Sequence, residues 1–130
     1  MVLRSLTGAG MALLLTATGA QAAEDSAAYT QCIDTASSTT LMLTCIQTEH
    51  EAQDKRLNAA YKQLMGKLDT EQKQTLRTVQ RSWLAYRDAN CSFHGSLGGG
   101  TLSRVDASMC VKDMTRDRAS ELEQLANPEG

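Results

Sequence analysis

One proline in 130 residues, Pro128, stands at the very end of the chain, so nothing in the interior forces a helix to stop. Glycine is almost as sparing a breaker: Gly98, Gly99 and Gly100 in SLGGGTLS form the one clear loop signal after the leader. Aromatic residues make up 4% of the chain and no two-residue alternation persists, which removes the usual basis for strands. The fold class expected is all-α, a small disulfide-stapled bundle built on a long antiparallel helix hairpin, with a short N-terminal helix and a C-terminal helix.

The first 22 residues stand apart. MVLRSLTGAGMALLLTATGAQA has a basic n-region at Arg4, an apolar run at Met11–Leu15, and an Ala20-Gln21-Ala22 cleavage signature. Residues 1–22 are expected to be a signal peptide cleaved near Ala22, leaving 23–130 as a single domain in the periplasm or medium. The apolar run is too short for a permanent span, and no cysteine follows it directly, so no membrane anchor is expected. Cleavage removes Arg4 from the 13 basic residues and leaves 12 against 15 acidic ones. That balance argues against nucleic acid and anionic membranes and is compatible with a cationic protein partner.

All four cysteines, Cys32, Cys45, Cys91 and Cys110, follow the leader, and an even number in an exported chain reads as two disulfides. The C-x-x-H spacing of Cys91 and His94 lacks two further zinc ligands, Met42, Met65, Met109 and Met114 read as core filler rather than copper ligands, and no cofactor or metal is expected.

Helical periodicity places helices at about 26–34, 41–68, 70–90 and from 103 or 106 to 125. The second carries Met42, Cys45, Ile46, Leu57, Ala60, Tyr61, Leu64 and Leu68 inward, with a polar gap over 49–54; the third carries Leu76, Val79, Trp83 and Tyr86; the fourth carries Ala107, Val111, Met114, Arg118, Leu122 and Leu125. Asp69 and Gln72 can form a capping box at the start of the third. A link of a residue or two makes the second and third an antiparallel hairpin in which Asp54 faces Trp83, Leu57 faces Gln80, and Glu49 and His50 face Arg87 and Asp88. The same register gathers the four cysteines at the end away from the turn. Crossed pairings stay open there; Cys32–Cys45 and Cys91–Cys110 are favoured because each ties neighbouring elements across a short loop.

Gln80, Trp83, Arg87 and Cys91 share a face at steps of three and four. This face is read as mainly core, with Arg87 paired to a carboxylate of the second helix and Gln80 and Asn58 as hydrogen-bond partners. The chain's two histidines sit in no nucleophile motif, and His50 with Asp54 is read as a solvated helix contact, so no catalytic residues and no enzyme are expected.

The combination D-x-x-L-N-x-x-Y at Asp54, Leu57, Asn58 and Tyr61, then Q-x-x-W-x-x-Y-R-D-x-x-C from Gln80 through Trp83, Tyr86, Arg87 and Asp88 to Cys91, resembles the lysozyme inhibitor LprI-like domain family. The early cysteine pair, the glycine loop, Cys110 and T-x-x-R-x-x-x-L with Arg118 continue the resemblance. It implies a small, exported, disulfide-bonded helical domain whose name-giving member inhibits lysozyme; the leading expectation is a protein that blocks a lysozyme by non-covalent occlusion, and the acidic balance suits a cationic one. The alternative is an envelope interaction or stress module that binds another protein. The long segment Ser92–Met109, glycine-rich and closed by two cysteines, is the expected contact loop, with His94, Ser96, Ser103 and Arg104 as candidate contacts.

Overall fold

Four helices make up the computed structural model, which describes residues 24–129; the expected signal peptide lies outside the described residues. They are α1 (Ala27–Thr35), α2 (Thr39–Met65), α3 (Thr70–Leu97) and α4 (Leu102–Ala126), and no strand occurs among the described residues. Local chemistry starts three of them. The Ser26 and Ser38 hydroxyls accept the Tyr29 and Leu41 amides at 3.1 and 3.2 Å. The capping box at Asp69 is complete, the carboxylate accepting the Gln72 amide at 2.8 Å and the Gln72 side chain accepting the Asp69 amide at 3.0 Å.

The hairpin of α2 and α3 is present, but α4 does most of the packing. It lies parallel to α2, with Val105 beside Ile46 and Glu123 beside Arg56, and antiparallel to α3. α2 and α4 form the most extensive interface and α3 docks mainly on α4. α1 folds back along the start of α2, held by Cys32–Cys45 with a Cα separation of 5.7 Å. Cys91–Cys110 ties α3 to α4 at 5.4 Å.

The fourth helix is turned slightly from the face its apolar residues suggest. Its buried positions are Val105, Lys112, Thr115, Arg118, Ala119, Leu122 and Ala126; Arg118 and Leu122 are buried as expected, Ala107, Val111 and Met114 are half-buried beside them, and Leu125 is exposed. Lys112 and Thr115 occupy core positions and hide the repeat in polar side chains. Small residues at Thr115, Ala119 and Ala126 bring α2 and α4 close together.

The interior is consequently divided. Leu57, Ala60, Leu64, Ala119, Leu122 and Ala126 form one apolar cluster near the α2–α3 turn, with Tyr61, Leu68, Leu76 and Trp83 against it. Tyr29, Cys45, Ile46 and Val105 form another near the disulfides. Between them in sequence register lie Glu49, Gln53, Lys112 and Thr115, all buried. The gap expected over 49–54 is thus an inward-facing polar layer.

That layer is satisfied by the segment before α1. Lys112, 1% exposed, donates to Asp25 at 2.6 Å, pairs with Asp113 at 2.7 Å, and stands 4.3 Å from the Tyr29 ring centroid. Arg116 reaches the other Asp25 oxygen at 2.9 Å. Glu49 accepts from the Ser26 amide at 2.9 Å, the Ser26 hydroxyl at 2.5 Å and the Gln53 amide at 2.8 Å. Burial pushes both carboxyls up, but these donors outweigh it and hold Asp25 and Glu49 below their ordinary values of 3.8 and 4.5.

Depressed carboxyls stabilise the fold above their unfolded-state values, and that stabilisation disappears as pH falls through the folded ones. The melting temperature should therefore drop steeply below about pH 5. Asp25→Asn should cost about 2 kcal/mol at pH 7, less than the loss of a sole buried partner because Asp113 still faces Lys112. It should also flatten the acid limb of the stability profile measured by thermal circular dichroism. An unchanged acid limb would mean that Asp25 does not hold the layer together.

Candidate functional site

Arg87 lies near His50 of α2 but meets no carboxylate of that helix. Its guanidinium donates to Asp88 at 2.9 and 3.0 Å and to the Thr115 hydroxyl at 3.2 Å, and lies 5.3 Å from the Trp83 ring centroid. Glu49, its expected partner, is taken by Ser26 and Gln53. The buried arginine is Arg118, which donates to Gln80 at 3.1 Å, pairs with Glu121, and lies 6.0 Å from the same ring. The face Gln80–Trp83–Arg87–Cys91 is therefore the surface on which α3 docks against α4. Val79 and Tyr86, expected inward, point outward, Tyr86 being 62% exposed.

Asp54, Leu57, Asn58 and Tyr61 of α2 line a pocket of about 240 Å³ with Gln80, Trp83 and Leu84 of α3. The register expected for the hairpin places these groups together. Asp88 lies exposed on α3 and serves Arg87 alone among the described residues. His50 and Asp54 form no hydrogen-bonded dyad: the His50 Nδ1 is buried without a partner, and burial together with nearby Arg87 holds its pKa below the ordinary value.

The expected loop over 92–109 is mostly helix. α3 continues to Leu97 and α4 begins at Leu102, so the connection is Gly98–Thr101. Two glycines explain how so short a corner closes. Gly100 takes φ +71°, the left-handed region. At Gly95 a Cβ would come within 3.0 Å of the Ala107 Cβ and 3.1 Å of the Ser103 carbonyl, so glycine lets the two helices meet there without pushing a neighbour aside.

The four candidate contact residues then separate. The Ser96 hydroxyl donates to the Phe93 carbonyl at 2.7 Å and that of Ser103 to the Gly100 carbonyl at 2.9 Å, both serving the corner itself. His94 and Arg104 are exposed. His94 lines a groove of about 660 Å³ between α3 and α4, with Asn90 and Leu97 on one wall and Asp106, Met109 and Asp113 on the other. The sequence reading missed the apolar surface around it: Phe93, Leu97 and Leu102 are 58%, 69% and 59% exposed. Large side chains this exposed, grouped at one disulfide-clamped corner, make a contact surface of the kind used against proteins. Their interruption of the polar helix ends was the available signal, obscured by placing them in a loop.

No group of three His, Cys, Asp or Glu side chains among the described residues is arranged to hold a metal ion. No helix among them is long and apolar enough to cross a membrane.

With that geometry in place, comparison with known proteins is decisive on one point. The family profile described as "Lysozyme inhibitor LprI" matches residues 19–122. The chain belongs to the LprI lysozyme inhibitor family. A curated protein of Rhizobium meliloti (strain 1021), described as uncharacterized, is 27% identical over 95 residues, covering 62% of this chain and 68% of that one. No solved structure matches the chain. Of the motif residues read from the sequence, Gln80, Trp83, Arg87, Cys91 and Arg118 join α3 to α4, Asp54, Leu57, Asn58 and Tyr61 line the pocket with Gln80 and Trp83, and Tyr86 and Asp88 are exposed.

Removing the buried arginine should cost more than removing the stacked one. Arg118→Ala should lower stability by about 2 kcal/mol, since Gln80 and the Trp83 ring lose their partner inside the fold. Arg87→Ala should cost about 1 kcal/mol, because Asp88 is left to water. Lys62→Ala, on the exposed side of α2, should be neutral. Denaturant titration distinguishes these, and equal losses for the two arginines would reverse the assignment of the buried role.

Proposed function

We propose that the protein is an exported inhibitor that blocks a lysozyme by non-covalent occlusion, using the α3–α4 corner. The observation that carries the target class is the family match across residues 19–122. The mode follows from the corner's physical character. A blocking element must keep its shape on binding, because ordering a mobile loop consumes affinity. Here the disulfide Cys91–Cys110 and the close approach at Gly95 hold the corner fixed, and Phe93, Leu97 and Leu102 offer apolar area for desolvated contact. His94 and Arg104 flank it as groups able to meet the paired carboxylates such enzymes use. The acidic balance of the mature chain favours encounter with a cationic enzyme. The two disulfides fit an oxidising compartment outside the cytoplasm, as does a signal peptide at residues 1–22.

The double substitution Phe93→Ser with Leu97→Ser should leave helicity and melting temperature unchanged, as both side chains are exposed. It should weaken inhibition in a cell-wall lysis assay by at least about tenfold, the loss of roughly 1.4 kcal/mol of contact. Leu125→Ser, equally exposed near the opposite end of α4, serves as the control and should inhibit normally. Full inhibition by the double variant would move the contact surface elsewhere on the helices. Failure of the intact protein against several lysozyme types would favour the envelope-module reading.

A further inference from the structure

α2 and α3 each pack on α4 rather than on each other, which leaves a pocket of about 240 Å³ between them with buried Leu57 as its floor. That is below the usual range for a whole small-molecule ligand and several times the share of one water, so it suits a single side chain.

The lining groups specify which. Asp54 is half-buried, receives only the Asn58 amide at 3.2 Å, and has no ion-pair partner among the described residues. The Asn58 carbonyl and the Tyr61 hydroxyl likewise carry no partner among the described residues, leaving hydrogen-bond acceptors around one rim. Trp83 and Tyr61, both half-buried, supply aromatic surface. Two arginines of the chain already lie beside Trp83, but each is neutralised: Arg87 by Asp88 and Arg118 by Glu121. Asp54 remains as the pocket's uncompensated charge. A carboxylate, further acceptors and aromatic faces around a slot of one-side-chain size are the complement of a guanidinium, which is planar, carries five donors and stacks on aromatic rings.

We infer that this pocket is a binding site for an arginine side chain presented by a partner protein. It does not depend on the lysozyme reading, because the pocket and the apolar corner are far apart. Trp83 at the pocket and Leu97 at the corner are fourteen residues apart on α3, about 21 Å along the helix axis. The corner and the pocket are thus separate contact sites on one molecule.

Trp83 is the chain's single tryptophan and lines this pocket, so its fluorescence is a probe of binding there. The mature protein is titrated at constant ionic strength with N-acetyl-arginine amide, N-acetyl-lysine amide and N-acetyl-citrulline amide. The arginine probe should give a saturable change with a midpoint of about 1 mM, a reasonable affinity for one side chain. The lysine probe should bind at least fivefold more weakly, and citrulline, which has the shape without the charge, should give no saturable change. Asp54→Asn should weaken the arginine response at least fivefold while melting within about 2 °C of the parent, since the carboxylate's single side-chain contact is with Asn58. The inference is overturned by no saturable response to arginine up to about 100 mM, by an equal response to lysine or citrulline, or by an undiminished response in folded Asp54→Asn. Should Asp54→Asn fail to fold, Tyr61→Phe, which deletes one acceptor and keeps the ring, must weaken the arginine response instead.

Discussion

A buried ammonium group organises this small protein. Lys112 sits where a bundle of this size would ordinarily place a leucine, and its charge must be answered inside the fold. The answer comes from Asp25, before the first helix, from Asp113 on its own helix, and from the face of Tyr29 on α1. One interaction thereby fixes the segment before α1 to α4. The neighbouring Glu49 does the same for α2, through Ser26, so the residues that begin α1 are held from both sides. The short first helix owes its position to these polar groups and to Cys32–Cys45 as much as to the few apolar contacts of Tyr29 and Ile33.

Two kinds of residue thus share the interior. The apolar cluster around Leu57, Leu64 and Leu122 supplies non-directional burial and tolerates small adjustments. The polar layer tolerates few, because each group in it depends on a particular partner. A sliding of α4 along α2 by one turn would leave Lys112 without Asp25, which gives the parallel pair a single register that apolar packing alone would enforce less strictly.

The helical class, the cap at Asp69, the hairpin of α2 and α3 and the family relation were legible in the sequence because each rests on local signals: periodicity, a capping pair, a short link, a motif. What was not legible concerned α4. Its inward face carries Lys112 and Thr115, so counting apolar residues found Arg118 and Leu122 but set other positions of the stripe one residue off. Nor did anything in the sequence say that α4 would take up the Arg87 guanidinium, through Thr115. The corner was misread for a related reason. Glycines mark a turn, but at Gly95 the absent side chain serves helix contact, so a run that looked like an open loop is two helix ends meeting. The exposed Phe93, Leu97 and Leu102 followed from that and could not be recognised while the segment was assigned to a loop.

The parallel pairing of α2 with α4 also sets when the molecule can become itself. α2 has its principal interface with the helix furthest from it in the chain, with α3 lying between them in sequence. A polypeptide lacking its final 25-residue helix leaves the apolar face of α2 uncovered and Asp25 without Lys112. Contacts of such wide separation are slow to close, because the entropy of the intervening chain is lost before they form. The nearby cysteines Cys32 and Cys45 can meet early, whereas Cys91 finds Cys110 only as α4 arrives. Until α4 docks, the interior stays unsealed and the second bridge has no partner in place.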